Sequence, residues 1–486
     1  MKNFLLPLMA LAIPALQGSA TTHTLIDSSA TTATQQLYAE LQTLDKADGV
    51  AFGNEYAFQY GILPDGTSWY FTDASGEYLA SDIQNICGIR PSVSGWDLNE
   101  FALGNSYWKA EVMDNIEDAD ALGVIVCLTF HENNPATGNG YSDTNIDLTQ
   151  VVTSGTTANT QFLSDWSKAA DVIRNLKRSD GTLIPVILRP FHECNGGWFW
   201  WGTNNSDAKF IALWKYLVTY LRDTQGLHNI IYVYNTSQPT TSTVFLERYP
   251  GDDYADVIST DVYLTDSDAS TVLTVPLDIM ISIAEAKGMP AALAEIGSNA
   301  GSSGMGSSTI DAWWTTKVLT PMKQATTADS STDYFAHIAY MAGWASWSTT
   351  QYHIPYPGCS KAADFKTFLQ DSHIYLLNHF DSGAVYSKTP LLGWAYCASY
   401  PWVYSYNFGW EYMGSVFNAK YSVSTDSSNF GWFYDWKRGA WLWTSKTYSP
   451  YFWQSGYGWL YYVGTGSTGI RWFYDFVQAK YVSDQL

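Results

Sequence analysis

The stretch LIPVILRPFHECNGGWFWWG (Leu183–Gly202) joins a short apolar run, a cluster of reactive side chains at its end and a wall of aromatic rings. Runs of this kind recur along the chain. They are Val50–Glu55, Ser92–Leu98, Val124–Glu132, Leu183–Glu193, Ile230–Asn235, Val257–Leu264, Ala291–Gly297 and Ile338–Ala345. Their length and apolar content suit strands buried on both faces. Amphipathic stretches of helical period lie between them, such as Phe162–Leu176 and Ala208–Leu221. Strands of buried type alternating with helices predict an α/β fold, a (β/α)8 TIM barrel, here over residues 35–383. A doubly wound nucleotide-binding sheet would carry a Gly-rich phosphate loop after its first strand, and none follows Val50–Glu55.

Outside the barrel the chain changes character at both ends. Residues 1–20 read as an export signal: Lys2, an apolar run from Phe4 to Leu16, then the small residues Gly18-Ser19-Ala20. The apolar run is too short for a stable membrane span. A Thr/Ser/Ala-rich spacer is expected over 21–34. From residue 391 to 486 aromatics take over. Trp402, Tyr404, Tyr406, Phe408, Trp410 and Tyr412 alternate with strand period, and WFYD occurs at both Trp432–Asp435 and Trp472–Asp475. FGWEY (Phe408–Tyr412) resembles YGWLY (Tyr457–Tyr461). A small all-β module of aromatic hairpin repeats follows. Its rings must also build its core, and its role is open among polysaccharide binding, cell-surface attachment and docking on the barrel.

Composition narrows the function. With 46 acidic and 25 basic residues the formal charge is −21, which disfavours nucleic acid and anionic lipid as partners. Aromatic residues make up 16% of the chain, an excess suited to stacking on the C–H faces of sugars. The five cysteines, Cys87, Cys127, Cys194, Cys359 and Cys397, contain no C-x-x-C pair, so no zinc cluster is expected. Cys127 reads as a buried thiol and Cys194 as packing behind its motif. A Cys359–Cys397 bridge is conceivable in an exported protein.

In a TIM barrel the catalytic groups sit at the C-terminal ends of the strands. Run four ends in Arg189, His192 and Glu193, followed by Trp198–Trp201; run seven ends in Glu295. A single Glu at a strand end is usually half of a salt bridge. Two of them, on strands four and seven, face each other across the mouth. They could approach to the ~5–5.5 Å used by retaining glycosidases, one as acid/base and the other as ionised nucleophile. Trp200 and Trp201 are divided evenly between core and ligand contact.

RPFHECNGGWFWWG resembles the acid/base strand of glycoside hydrolase family 26, whose commonest activity is endo-β-1,4-mannanase. The likeness extends over residues 45–381 through FGNEY (52–56), SVSGWDL (92–98), LTFHENNP (128–135), YPGDDYADVISTDVY (249–263), AEIGS (294–298), YMAGW (340–344), PYPG (355–358) and DFKTF (364–368). It implies Glu193 as acid/base and Glu295 as nucleophile. His192 would bond within the site and help hold the nucleophile's charge. Tyr263 would donate a hydrogen bond to Glu295, and Arg189 would fix the carboxylates. His131 would contact the sugar beside the scissile bond, with Trp198 and Trp344 as aromatic walls. Asn54, where the family often has His, and Ala345, where many members have Arg or another polar residue, depart from the pattern.

The reading is thus a secreted, periplasmic or cell-surface monomer, with no metal or cofactor, cleaving a mannan-type polysaccharide by retaining chemistry. Mixed-linkage β-glucan or β-1,3-xylan is the alternative substrate. A non-catalytic carbohydrate-binding protein is the alternative class.

Overall fold

The computed structural model describes residues 23–71, 79–103, 106–324, 326 and 332–377, together with strand segments between 386 and 483. The expected export signal lies outside the described residues. Eight parallel strands form the barrel: β1 (Val50–Glu55), β2 (Val93–Asp97), β3 (Ile125–Thr129), β4 (Val186–Arg189), β5 (Ile230–Ser237), β6 (Val257–Leu264), β7 (Ala291–Ser298) and β8 (Tyr340–Gly343). Each pairs with its sequence neighbour, and β8 closes on β1 with Ala51 opposite Tyr340. Closure leaves no free sheet edge within the ring. A short extra strand, Ile374–Tyr375, pairs with β1 at the base.

Side chains alternate across each strand with a period of two. Phe52, Leu188, Tyr232, Tyr234 and Leu293 join the outer core beneath the helices. Ala51, Val93, Ile125, Ile187, Ile231, Val233 and Ala292 fill the interior. The helix Thr32–Leu44 plugs the base of that interior with Leu37, Tyr38, Leu41 and Leu44. Thr31 caps this helix by accepting from the Thr34 backbone N–H. Helix Thr157–Asn175 shows how the outer layer is built. Its apolar face of Phe162, Trp166, Ala169, Ala170 and Ile173 recurs every three to four residues and is buried against the barrel.

Three differences from the sequence reading stand out. The expected spacer is part of the fold from residue 23 onward. Ile26 N–H donates to Asp256, His23 N–H donates to the Gly288 carbonyl, and Asp27 pairs with His228. A composition rich in Thr, Ser and Ala conceals this, because hydrogen bonds and an ion pair anchor the segment alongside only a few apolar side chains, Leu25, Ile26 and Ala30. A hairpin, Tyr60–Ile62 with Ser68–Tyr70, follows β1; its strands are too short to leave a periodic signal. Cys87, Cys127, Cys194 and Cys359 are free thiols, which removes the proposed bridge at Cys359; Cys397 lies outside the described residues. Cys127 is only half-buried, and Cys194 is fully buried.

In the C-terminal region the described strands form a ten-stranded antiparallel sheet in sequential order, beginning at Tyr386, ahead of the expected start at 391. The internal repeats map onto equivalent hairpins. Asp435 pairs with Ala440, and Asp475 pairs with Lys480. In the second hairpin Asp475 accepts from the Val477 and Gln478 N–H groups and so closes the turn. Ala479 there has φ 51, in the left-handed region that glycine favours. Among the described residues no helix is long and apolar enough to cross a membrane.

Candidate active site

Inward-facing positions near the C-terminal ends of the strands carry polar groups instead of the aliphatic residues found lower down. Glu55, Asp97, Thr129, Arg189, Asn235, Asp261 and Glu295 are all buried there. They are paired with one another or, for Asp97, with His131, as buried polar groups must be.

Glu295 owes its direction to a bulge. Along β7, Ala292 and Ala294 point inward, so strict alternation would turn Glu295 outward. The register slips here against both neighbours: Thr260 faces Leu293 while Asp261 faces Glu295, and Met341 faces Leu293 while Gly343 faces Ile296. One extra residue in β7 brings Glu295 into the mouth and returns Ile296 to the outer core. There Glu295 accepts from Tyr263 Oη at 2.6 Å and from Arg189 Nη2 at 2.5 Å. Arg189 also donates from Nη1 to Asp261 at 2.7 Å. Burial opposes the Arg189 charge, but Asp261 and Glu295 outweigh it and hold the guanidinium protonated. Burial, then the Glu295 charge, raises the Tyr263 phenol well above its usual range, so it remains a donor.

Glu193 lies four residues beyond the end of β4, in a turn where Phe191 and Glu193 both have φ 51. Left-handed backbone at two non-glycine residues is strained and clusters at functional sites. The turn is bound to β5: the Glu193 N–H donates to Asn235 Oδ1 at 2.7 Å. Its carboxylate accepts from Trp198 Nε1 at 2.7 Å. Burial and then the nearby Glu295 charge push its carboxyl up to about 7. The two carboxyl groups therefore differ in kind. Glu295 is gripped by a cation and a phenol, whereas Glu193 is buried beside another carboxylate and holds its proton into the neutral range.

The expected site residues converge on this mouth, with three changes of role. Arg189 binds Glu295 and Asp261 rather than both catalytic carboxylates. His192 is a neutral ring here rather than a cation beside the nucleophile. Burial, then the Arg189 and His131 charges, depress its imidazole far below the usual range. Its Nδ1 is buried with no hydrogen-bond partner among the described residues. Its ring packs with centroids 4.5 Å from His131 and 4.9 Å from Phe199. Trp198, 48% exposed, is a hydrogen-bond donor to Glu193 as well as a wall.

His131 lies at the same mouth. Its Nδ1 meets Asp97 Oδ2 at 2.6 Å. Burial would lower its pKa, but the charge and hydrogen bond of Asp97 prevail and raise it. Its ring centroid lies 5.9 Å from that of Trp344. Trp200 and Trp201 are core: both are fully buried and donate to the carbonyls of Glu132 and His192. Asn54 is buried and bonded to the Glu55 carbonyl, and Ala345 is buried.

Five participants carry no prior expectation: Glu55, Asp97, Asn235, Ser237 and Asp261. Glu55 accepts from Thr129 at 3.1 Å. Its carboxyl occupies space that Gly95 leaves open, since a Cβ on Gly95 would lie 1.8 Å from Glu55 Oε2. Burial raises the Glu55 carboxyl well above its usual range against the pull of Arg189, with Asp97 and Glu295 adding to the rise.

The comparisons with known proteins agree with this geometry. The model of glycosyl hydrolase family 26 matches residues 26–302. The chain is 33% identical over 398 residues to the mannan endo-1,4-beta-mannosidase of Bifidobacterium adolescentis, covering 75% of this chain and 36% of that protein. It is 31% identical over 227 residues to the mannan endo-1,4-beta-mannosidase of Bacillus subtilis, covering 42% of this chain and 59% of that one. The chain thus spans little more than a third of the first relative and under two thirds of the second. Among solved structures, an endo-beta-1,4-mannanase double mutant from Cellulomonas fimi superposes with a TM-score of 0.65 at 29% identity, over 74% of this chain and 79% of that one. A GH26 beta-mannanase from Bacteroides ovatus superposes with a TM-score of 0.61 at 29% identity, over 73% and 97%. By its family-model match and its barrel, this chain belongs to glycosyl hydrolase family 26.

Proposed function

We propose that this chain is a secreted endo-glycoside hydrolase that cleaves β-1,4-mannosidic linkages with retention of configuration. One observation carries the proposal: two carboxyl groups at the mouth, Glu193 and Glu295, are held in opposite electrostatic environments. Retaining hydrolysis needs that asymmetry, because one carboxyl must give a proton while the other attacks as an anion.

Glu295 attacks the anomeric carbon as Glu193 protonates the departing glycosidic oxygen. Tyr263 and Arg189 aim the nucleophile and supply donors to its oxygens. Glu193, now ionised and accepting from Trp198 Nε1, removes a proton from water. That water displaces Glu295 from the glycosyl-enzyme. His131, oriented by Asp97, and Trp344 face the same mouth and serve as sugar contacts. The named relatives support mannan as the polymer. Export rests on residues 1–20. Residues 23–383 form the catalytic unit in this account, and the strands from Tyr386 onward an aromatic β module.

Reducing-sugar release from β-1,4-mannan, lichenan and β-1,3-xylan tests the substrate: mannan should be preferred by at least tenfold in kcat/KM. Preference for either of the others would overturn the assignment. Azide should rescue Glu295→Ala as an α-glycosyl azide and Glu193→Ala as a β-glycosyl azide on activated substrates.

A further inference from the structure

The acid/base turn carries more attachments to β5 than its own backbone needs. Asn195, two residues after Glu193, donates from Nδ2 to the Ser237 carbonyl at 2.7 Å and accepts from the Ser237 N–H at 2.7 Å. Its side-chain amide therefore mimics one rung of a strand ladder, with both polar atoms used. One step earlier on the same inward face of β5, Asn235 accepts from the Glu193 N–H at 2.7 Å. Its amide nitrogen donates to Ser259 at 2.9 Å and to Asp261 at 2.8 Å. A carboxylate only accepts, so Asp261 fixes which end of the Asn235 amide faces Glu193.

We propose that Asn195 and Asn235 are positioning residues that hold the Glu193 carboxyl at the leaving-group oxygen, acting through the left-handed turn rather than on the substrate. The inference rests on Glu193 being the acid/base. Phe191 and Glu193 at φ 51 would relax toward ordinary backbone without restraint. Within the turn the Gly196 N–H donates to the Glu193 carbonyl at 2.8 Å and Trp198 holds the carboxylate. The restraints from outside it come from β5 and from Trp201, whose Nε1 donates to the His192 carbonyl. Asn235 ties the turn to Asp261, and through Arg189 to Glu295, so the acid/base arm is registered against the nucleophile arm. Asn195 touches neither Asp261 nor Arg189 in this network and is half-buried, so it isolates the acid/base arm.

The predicted signature is leaving-group dependence. The phenolate of an activated aryl mannobioside departs with little protonation, whereas mannan cleavage needs the proton in flight. Asn195→Ala should lower kcat/KM on β-1,4-mannan by about 10- to 100-fold and on a dinitrophenyl β-mannobioside by less than about threefold. Asn195→Asp keeps the acceptor for the Ser237 N–H and should recover part of the mannan activity; it also serves if the alanine variant fails to fold. Glu193→Ala is measured beside them. If Glu193→Ala loses both substrates equally, the acid/base assignment fails. If Glu193→Ala shows the leaving-group signature but both Asn195 variants lose the two substrates in proportion, or lose neither, the positioning role fails alone.

Discussion

Replacing Tyr263 by Phe removes one oxygen from the nucleophile's environment and leaves the ring in place against His353, whose centroid is 5.7 Å away. The lost bond is 2.6 Å long, its acceptor is a buried carboxylate, and Arg189 still holds the other carboxylate oxygen. Hydrogen bonds to charged groups contribute ~1.5–3 kcal/mol. At about 1.4 kcal/mol per factor of ten, Tyr263→Phe should lower kcat/KM by about 10- to 150-fold. The loss should be nearly equal on mannan and on a dinitrophenyl mannobioside, because nucleophilic attack is common to both. That is the reverse of the pattern expected for Asn195→Ala. Thermal unfolding should change by only a few degrees, since no cavity opens. A loss below threefold in a variant of unchanged stability would refute the argument. So would a loss confined to the poor leaving group, which would place Tyr263 on the acid/base arm.

The Glu193 carboxyl, raised to about 7 by burial and the Glu295 charge, must carry its proton to act as the acid, so that limb of kcat/KM on mannan should be flat below about 7 and fall as pH rises through it. A pH profile of Glu193→Gln should lack that limb; a rise in wild-type activity through pH 7 would reverse the assignment. Trp201 is fully buried and donates to the His192 carbonyl, so Trp201→Ala should destabilise the barrel by ~3–5 kcal/mol in chemical denaturation, against ~0–1 kcal/mol if the ring were a solvent-facing sugar platform. Truncation after residue 383 removes the C-terminal sheet but none of the described barrel pairings, the last of which involves Ile374–Tyr375. The shortened chain should keep its rate on soluble oligosaccharides and lose retention on insoluble mannan. Early melting or aggregation would instead make the tail part of the catalytic fold.

The barrel could be read from the sequence because its strands are buried on both faces and so appear as short, continuous apolar runs. All eight runs became barrel strands, although the fourth strand stops at Arg189 and Glu193 belongs to the following turn. The candidate carboxyls Glu193 and Glu295 emerged from the rule that chemistry collects at strand ends. The same rule, applied to every run, points to Glu55 and Asn235, each the last residue of its run, and to Asp97, one residue before the end of the second. Asp261 and Ser237 are harder to find, since Asp261 lies inside its run and Ser237 beyond the end of its own. Period-two parity on the inward face locates both, counting from Val257 and Ile231. Parity alone would have misplaced Glu295, because a bulge has no composition of its own. His192 shows the opposite failure. A histidine beside Glu193 suggests a group that helps hold the nucleophile's charge, yet burial, Arg189 and His131 keep it neutral and its neighbours are rings. That environment is assembled from the ends of β3 and β4 and from the loop after β4, and cannot be inferred from the residues next to it.

The central claim is double displacement through Glu295, and the stereochemistry of the first product tests it most directly. Proton NMR during the earliest turnovers of β-1,4-manno-oligosaccharides should show the β-anomer at the new reducing end, followed by slow mutarotation toward the equilibrium mixture. Initial appearance of the α-anomer would mean single displacement by water. That outcome would require the two carboxyl groups to stand ~6.5–9.5 Å apart and would contradict the assignment of Glu295 as nucleophile.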